Sequence, residues 1–307
     1  MITLPPSLKK GDTIGLVCPS GYMPREKAAT CIETLEEWGY RVRVGNTLGA
    51  QFHYFSGTDE ERLRDLQAML DDDSIRAILC GRGGYGMSRI IDRLNLSAFA
   101  QSPKWIIGFS DITVLHAQVV TQHQVACLHA PMAAAFNDGG NTDPYVLSLK
   151  DALEGKKTDY RAATHSLNRA GEASGMLVGG NLSILAHLVG TDSAFDMNNC
   201  ILFLEDVGEY IYNIDRMLIQ LKRSGVFNNL AGLIVGGFTE LKDTVIPFGN
   251  DVATLISEHV AGSGFPVCFD FPVSHDKKNV ALKVGVLHRL SVTAEGAHLQ
   301  ELNSPGG

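Results

Sequence analysis

The feature that most constrains the fold is an alternation running through the first half of the chain. "TIGLVCPSG" (13–21) reads as a buried strand ending in a turn, and "REKAATCIETLEEWGY" (25–40) as an amphipathic helix. "RVRVG" is the next strand, and "DEERLRDLQAMLDDD" (59–73) a helix with apolar spacing at Leu63, Leu66, Met69 and Leu70. Strand "IRAILC" (75–80), helix "GMSRIIDRL" (86–94), strand "KWIIGF" (104–109), helix "TVLHAQVVTQH" (113–123) and strand "VACLHA" (125–130) continue the pattern. Short apolar strands joined through helices by short links must lie parallel, because a parallel pair needs a crossover and the helices cover both faces. The reading is an α/β fold: a doubly wound, mainly parallel sheet, closed by a helix over 142–153.

The second half is less regular. A polar stretch, "EGKKTDYRAATHSLNRAGEAS" (154–174), loses the apolar period and is the candidate domain boundary. After it come a helix at "LSILAHLVG", strand "CILFLED" (200–206), helix "YNIDRMLIQLKRSG" (212–225), strand "LAGLIVGGF" and helix "VATLISEHVAG". "PVCFDFPVSH", "VALKVGVLHRLSV" and a turn at Ala294-Glu295-Gly296 read as strands in hairpins. The expected organisation is an N-terminal α/β domain over 1–160 and a C-terminal mixed α+β domain over 170–307, with an active site between them.

With 26 Lys and Arg against 34 Asp and Glu, the net charge is −8 and no basic cluster interrupts the chain, which excludes sequence-independent nucleic-acid binding. No apolar run approaches a membrane span, and "MITLPPSLKKGD" lacks the apolar core of a signal peptide. The cysteines, at 18, 31, 80, 127, 200 and 268, form no C-x-x-C and read as buried, reduced thiols of a cytosolic protein.

Three strand ends carry reactive side chains, and in parallel α/β sheets ligands sit outside the carboxyl ends of the strands. At the first, Gly81 to Gly86 ("GRGGYG") spells G-x-G-x-x-G. A dinucleotide fingerprint has this form, but it follows the first strand of its unit and is followed about 20 residues on by an acid. This loop follows a later strand, and the next strand end carries Ser110 and Asp111. At the second, Ser110 in "WIIGFSDITVLH" lies where a strand turns sharply into a helix, an elbow that exposes its hydroxyl. Only half of G-x-S-x-G is met, and the competing reading is that Ser110 or Asp111 caps the helix. At the third, Glu205 and Asp206 end an apolar strand, as triad acid or as a helix cap.

A serine nucleophile needs a base, usually histidine. His116 and His123 lie on the helix after Ser110. His53, His165, His259 and His298 lie in polar loops, helix surfaces or the tail. His129 and His187 sit in apolar contexts that read as core, and His288 is near a strand end. His275, ending "CFDFPVS" and opening a polar loop, stands out.

Together, "VCPSG", "GRGGYG", "GFSDIT", "GGNLSIL", "LFLEDVGE", "IDRML" and "VSH", in this order, resemble the LD-carboxypeptidase (murein tetrapeptide carboxypeptidase) family of serine peptidases. The resemblance implies Ser110 as nucleophile, Glu205 as orienting acid and His275 as base. It implies that the glycine loop lends a backbone N–H, from Gly84 or Gly83, to an oxyanion hole shared with the N–H of Asp111. A carboxypeptidase needs a cation for a free carboxylate, and Arg82 is the candidate, an exposed loop arginine being the competing reading; Gly83, Tyr85 and Asn181 are the further candidates at the substrate. No metal, NAD or other cofactor is expected. The implied partners are a murein peptide and a second copy of the chain, in the cytoplasm, without nucleic acid or membrane. A related amidase that detoxifies a peptide-nucleotide antibiotic and a non-catalytic small-ligand binding protein are the alternatives on the same scaffold.

Overall fold

The computed structural model describes residues 2–303. It divides into two compact units: the chain up to Lys156 together with Val280–Lys283, and Lys157–Asn279 together with the chain from Val284 on.

The first unit is built on five strands in the predicted order: β1 (Thr13–Val17), β2 (Arg41–Val44), β3 (Ile75–Cys80), β4 (Trp105–Gly108) and β5 (Cys127–His129). Across the sheet they run β5-β4-β3-β1-β2, and every pair in that row is parallel. All five therefore end on one side, and the order reverses between β1 and β3, the place where doubly wound sheets open a crevice. β4 and β5 are buried along their whole length, as strands covered on both faces must be. β2, whose "RVRV" alternates exposed and half-buried residues, is the edge.

The connecting helices are α1 (Ala29–Glu37), α2 (Asp59–Asp71), α3 (Ser97–Gln101), α4 (Thr113–His123) and α5 (Pro144–Leu153). α2 starts at a capping box: Thr58 accepts from the Glu61 N–H, and the Glu61 carboxylate accepts from the Thr58 N–H. Its other end is held by Lys104, only 2 % exposed, whose Nζ donates to the carbonyls of Met69, Leu70 and Asp72. Residues 86–94 are not the predicted α-helix but two 3-10 turns, Met87–Arg89 and Ile91–Arg93. Their amides bond three residues back, Arg89 to Gly86 and Ile90 to Met87, and Met87, Ile90 and Ile91 still reach the core.

The second unit has a seven-stranded mixed sheet. Its strands are β6 (Asp159–Ala162), β7 (Gly171–Asn181), β8 (Cys200–Val207), β9 (Gly232–Thr239), β10 (Val267–Cys268), β12 (Val286–Thr293) and β13 (Gly296–Glu301). β7, β8, β9 and β10 are parallel neighbours, while β12, β13 and β6 continue from β7 antiparallel. Helices α6 (Leu182–Leu188), α7 (Ile211–Arg223) and α8 (Val252–His259) make the connections.

The polar stretch 154–174 carries β6 and the start of β7, whose first residues are mostly exposed and so show no apolar period. One expectation changes here. The tail is not a run of hairpins. Among the described residues only β12 and β13 form one, whereas β11 (Leu282–Val284) joins the first sheet beside β5. No helix among the described residues is long and apolar enough to cross a membrane.

Candidate active site

In the first unit the site elements gather at the carboxyl ends of β1, β3 and β4. Ser110 follows β4 directly and has a φ of +63°, in the left-handed region that side chains avoid. The turn continues through a 3-10 segment, Ser110–Ile112, into α4. A half-buried, non-glycine residue held in this conformation between strand and helix is strained, and strain of this kind collects at functional sites. Capping does not account for it, because no side-chain cap bonds the start of this segment or of α4.

The glycine loop closes against this serine. A Cβ added to Gly83 would lie 2.7 Å from the Ser110 Cβ, 2.9 Å from its Oγ and 3.3 Å from the Asp111 nitrogen. Gly84 has a φ of +99°, and a Cβ there would fall 2.6 Å from the Tyr54 hydroxyl. The loop is therefore bare because backbone must pass next to Ser110, an approach only glycine permits. It does not open an α-helix, so it lacks the helix N-terminus on which a pyrophosphate rests. Gly83→Ala is expected to cut turnover by about 10²-fold or more, because the added methyl would force Ser110 and the loop apart. Initial rates of the variant, with its circular dichroism spectrum, check this, and a rate within twofold of wild type would contradict it.

The other first-unit candidates differ in exposure. Arg82 is exposed and its Nη1 donates to the Tyr22 carbonyl at 2.6 Å. Tyr85 is half exposed with its ring 6.0 Å from that of Phe55. Asp111 is 1 % exposed, and its Oδ2 accepts from Ser20 Oγ at 2.6 Å and from the Met87 N–H at 2.8 Å. Burial pushes its carboxyl above the ordinary carboxylate value, against the pull of those bonds and of the Arg62 charge.

The second unit holds an imidazole–carboxylate pair. Glu205, at the end of β8, is fully buried, and its Oε2 lies 2.5 Å from Nδ1 of His275. The pairing register of β8 with β9 shifts between Leu204 and Asp206, a bulge opposite Glu205. The partner strand contributes Gly236 and Gly237 there. A Cβ on Gly236 would sit 2.1 Å from the Val273 carbonyl oxygen, and one on Gly237 2.5 Å from the Ser274 Cβ. These two glycines let the segment that ends in His275 lie flush on β9, fixed by the Gly237 N–H donating to the Val273 carbonyl. Burial of the imidazole lowers its pKa. The charge and hydrogen bond of Glu205, aided by Asp206 and Glu240, outweigh it and leave the pKa above the ordinary 6.5.

Asp206 points elsewhere, as the alternation of a strand requires. Its Oδ1 accepts from Asn181 Nδ2 at 2.7 Å and its Oδ2 from the Ser183 N–H at 2.9 Å. Burial, and then the neighbouring Glu205 charge, raise its pKa to about 6. Asn181 is buried, and its Oδ1 caps α6 by accepting from the Ile184 N–H. It thus supports Asp206 and the helix.

His259 and His298 also meet carboxylates, Asp215 and Asp159, each at 2.7 Å, but those acids are partly or largely exposed where Glu205 is fully buried. His116, His129 and His288 are fully buried. His187, expected in the core, is exposed, with Nδ1 2.5 Å from the Ser183 carbonyl oxygen. All six cysteines are buried and free, and burial pushes the Cys18 and Cys268 thiols up to about 12. Among the described residues no three His, Cys, Asp or Glu side chains gather as a metal ion requires. Sequence reading missed Ser20, Arg62, Gly236 and Gly237. The doubled glycine inside an apolar strand was the available signal for the last two.

A serine on a strained strand-to-helix turn, a bare glycine loop against it and a carboxylate-held imidazole are the parts of serine-type acyl transfer. Residues 14–130 match the LD-carboxypeptidase N-terminal domain and residues 174–290 the LD-carboxypeptidase C-terminal domain, so the chain belongs to the LD-carboxypeptidase family and is a peptidase. It is 33 % identical to the probable murein peptide carboxypeptidase of Bacillus subtilis (strain 168), across 98 % of this chain and 96 % of that one. The crystal structure of muramoyltetrapeptide carboxypeptidase from Oxalobacter formigenes matches with a TM-score of 0.86 and 28 % identity, across 95 % and 99 % of the two chains. The microcin C7 self immunity protein MccF, in complex with aspartyl sulfamoyl adenosine, shares the fold at a TM-score of 0.84 and 23 % identity, over 96 % and 98 %.

Proposed function

We propose that this peptidase is a serine LD-carboxypeptidase that removes the terminal D-Ala of murein tetrapeptides, cutting the bond to the L-centre of the preceding diamino acid. The observation that carries the reading is the buried Glu205–His275 pair. With Nδ1 engaged by the carboxylate, Nε2 is the nitrogen that takes the Ser110 proton as Oγ attacks the scissile carbonyl. The oxyanion is met by the N–H of Asp111 and a glycine-loop N–H, from Gly84 or Gly83. D-Ala leaves with the proton from His275, and the same imidazole activates the water that releases the tripeptide. Arg82 takes the free carboxylate, and Gly83 and Tyr85 border the substrate, while Asn181 acts through Asp206. This chemistry asks for no metal or organic cofactor. The resemblance adds a homodimer working in the cytoplasm on recycled wall fragments.

Three substrates test the reading by mass spectrometry: a murein tetrapeptide ending in D-Ala, the same peptide ending in L-Ala, and an aminoacyl-sulfamoyl nucleoside. Loss of one alanine from the first alone is expected. Cleavage of the nucleoside with the D-Ala peptide intact would instead identify the antibiotic-detoxifying amidase, and binding of the peptide without cleavage a ligand-binding protein.

A further inference from the structure

Two buried charges near Ser110 have no place in the acyl-transfer steps. Arg62 on α2 is fully buried. Its Nη1 donates to the Pro19 carbonyl at 2.5 Å and to the Gly86 carbonyl at 2.9 Å, and its Nη2 pairs with Asp59. The Asp111 carboxylate accepts from Ser20 Oγ and from the Met87 N–H through one oxygen, Oδ2. The guanidinium and the carboxylate thus grip the same two loops at adjacent residues, 19 and 86 by Arg62, 20 and 87 by Asp111. Those loops leave β1 and β3, and Asp111 sits in the loop leaving β4. A further tie joins them where the Gly21 N–H donates to the Gly83 carbonyl at 3.0 Å.

Burying a guanidinium and a carboxylate costs more than filling the same space with apolar side chains, so stability alone does not explain the pair. What the pair does is fix three loop ends relative to one another. One carries Ser110 and the Asp111 N–H, another the glycine loop. We infer that the Asp111 carboxylate and the Arg62 guanidinium are positioning residues. They hold the glycine loop at the separation from Ser110 at which its N–H and that of Asp111 reach the same oxyanion. The inference rests on the proposed serine mechanism for its kinetic part only. Asp111 therefore has two tasks, its N–H at the reacting oxygen and its carboxylate behind the loop.

The test compares Asp111→Ala, Asp111→Asn, Arg62→Lys and Ser20→Ala by steady-state kinetics on the D-Ala tetrapeptide and by hydrogen exchange of amides 81–87. Loss of the acceptor in Asp111→Ala is expected to lower kcat by about 10²–10³-fold, as for a misplaced oxyanion donor, with KM changed by less than about threefold. Asp111→Asn retains an oxygen able to accept both bonds, so its kcat recovers to within about tenfold of wild type. Arg62→Lys, a point charge in place of a planar fork, falls between the two. Ser20→Ala removes one tether while leaving the Asp111 and Arg62 side chains in the chain and gives a smaller loss, which keeps the claim testable should Asp111→Ala not fold. In each impaired variant amides 81–87 exchange faster than in wild type. Faster exchange with unchanged kcat would overturn the positioning role, and so would an Asn variant as impaired as the Ala variant. Inactivity of the wild type toward the peptide would sink the proposed function, whereas unchanged exchange at 81–87 in Asp111→Ala and Ser20→Ala would sink the loop restraint itself.

Discussion

Ser110→Ala is expected to lose about 10⁶-fold in kcat, the scale on which removal of a triad nucleophile acts, with the fold unchanged. A companion substitution separates chemistry from stability. Ser110 holds a φ of +63°, a conformation that costs a non-glycine residue on the order of 1–3 kcal/mol and glycine almost nothing. Ser110→Gly is therefore expected to be as inactive as the alanine variant yet to unfold at a higher temperature than wild type. Peptide turnover and thermal unfolding, measured on both variants, check this. Retention of more than a few per cent of the rate in Ser110→Ala would remove the nucleophile from this position. A Ser110→Gly protein less stable than wild type would mean that the elbow is not strained.

Glu205→Gln is expected to lower kcat by about 10⁴-fold, as replacing the acid of a Ser-His-Asp triad does, while leaving KM nearly unchanged. The amide no longer fixes the imidazole tautomer or balances the imidazolium. The pH profile carries the same information with a definite sign. His275 must be neutral to accept a proton, and its pKa lies above 6.5 because the Glu205 interactions exceed the effect of burial. In wild type kcat/KM should therefore rise through an apparent pKa above 6.5 and then level off. Taking away the carboxylate leaves burial dominant, so the residual activity of Glu205→Gln should rise at lower pH than that of wild type. A limb that stays in place would show that another group titrates. Asp206→Asn is the comparison. Its side chain is turned to Asn181 and the Ser183 N–H, so a folded Asp206→Asn protein as impaired as Glu205→Gln would reassign the orienting acid.

The parts of this fold that could be read from sequence are those where one physical rule acts alone. β3, β4 and β5 announce themselves because strands covered on both faces are mostly apolar, the exposed Arg76 near the start of β3 being the exception. α2 does so because Leu63, Leu66, Met69 and Leu70 fall at helical spacing, and the structure adds the capping box of Thr58 and Glu61. Residues 86–94 misled because Met87, Ile90 and Ile91 suit a 3-10 turn as well as an α-helix, and the choice falls to bonds made by Gly86 and by the Asp111 carboxylate far along the chain. The return of β11 to the first sheet was invisible because a three-residue apolar strand carries no mark of its neighbour. Arg62 sits inside a charged run that reads as a solvated helix face, and its burial rests on the carbonyls of Pro19 and Gly86 together with Asp59. The residues alone offer Glu205 and Asp206 together at a strand end and His275 where a polar loop opens, and the family resemblance is what chooses Glu205. The approach of His275 to Glu205 depends on Gly236 and Gly237, whose role emerges once the β8–β9 bulge is seen.

The central claim, acyl transfer through Ser110, is tested most directly with a fluorophosphonate, which phosphonylates an activated serine hydroxyl with loss of fluoride. A preparation shown to release D-Ala from the tetrapeptide is treated with the reagent, and its activity and intact mass are followed together. The account predicts a single adduct, mapped by peptide mass spectrometry to Ser110, with activity falling in proportion to its formation. It also predicts markedly slower labelling in Glu205→Gln and none at this site in Ser110→Ala. Inactivation by an adduct at any other residue, or full peptidase activity in protein labelled to completion at Ser110, would contradict it.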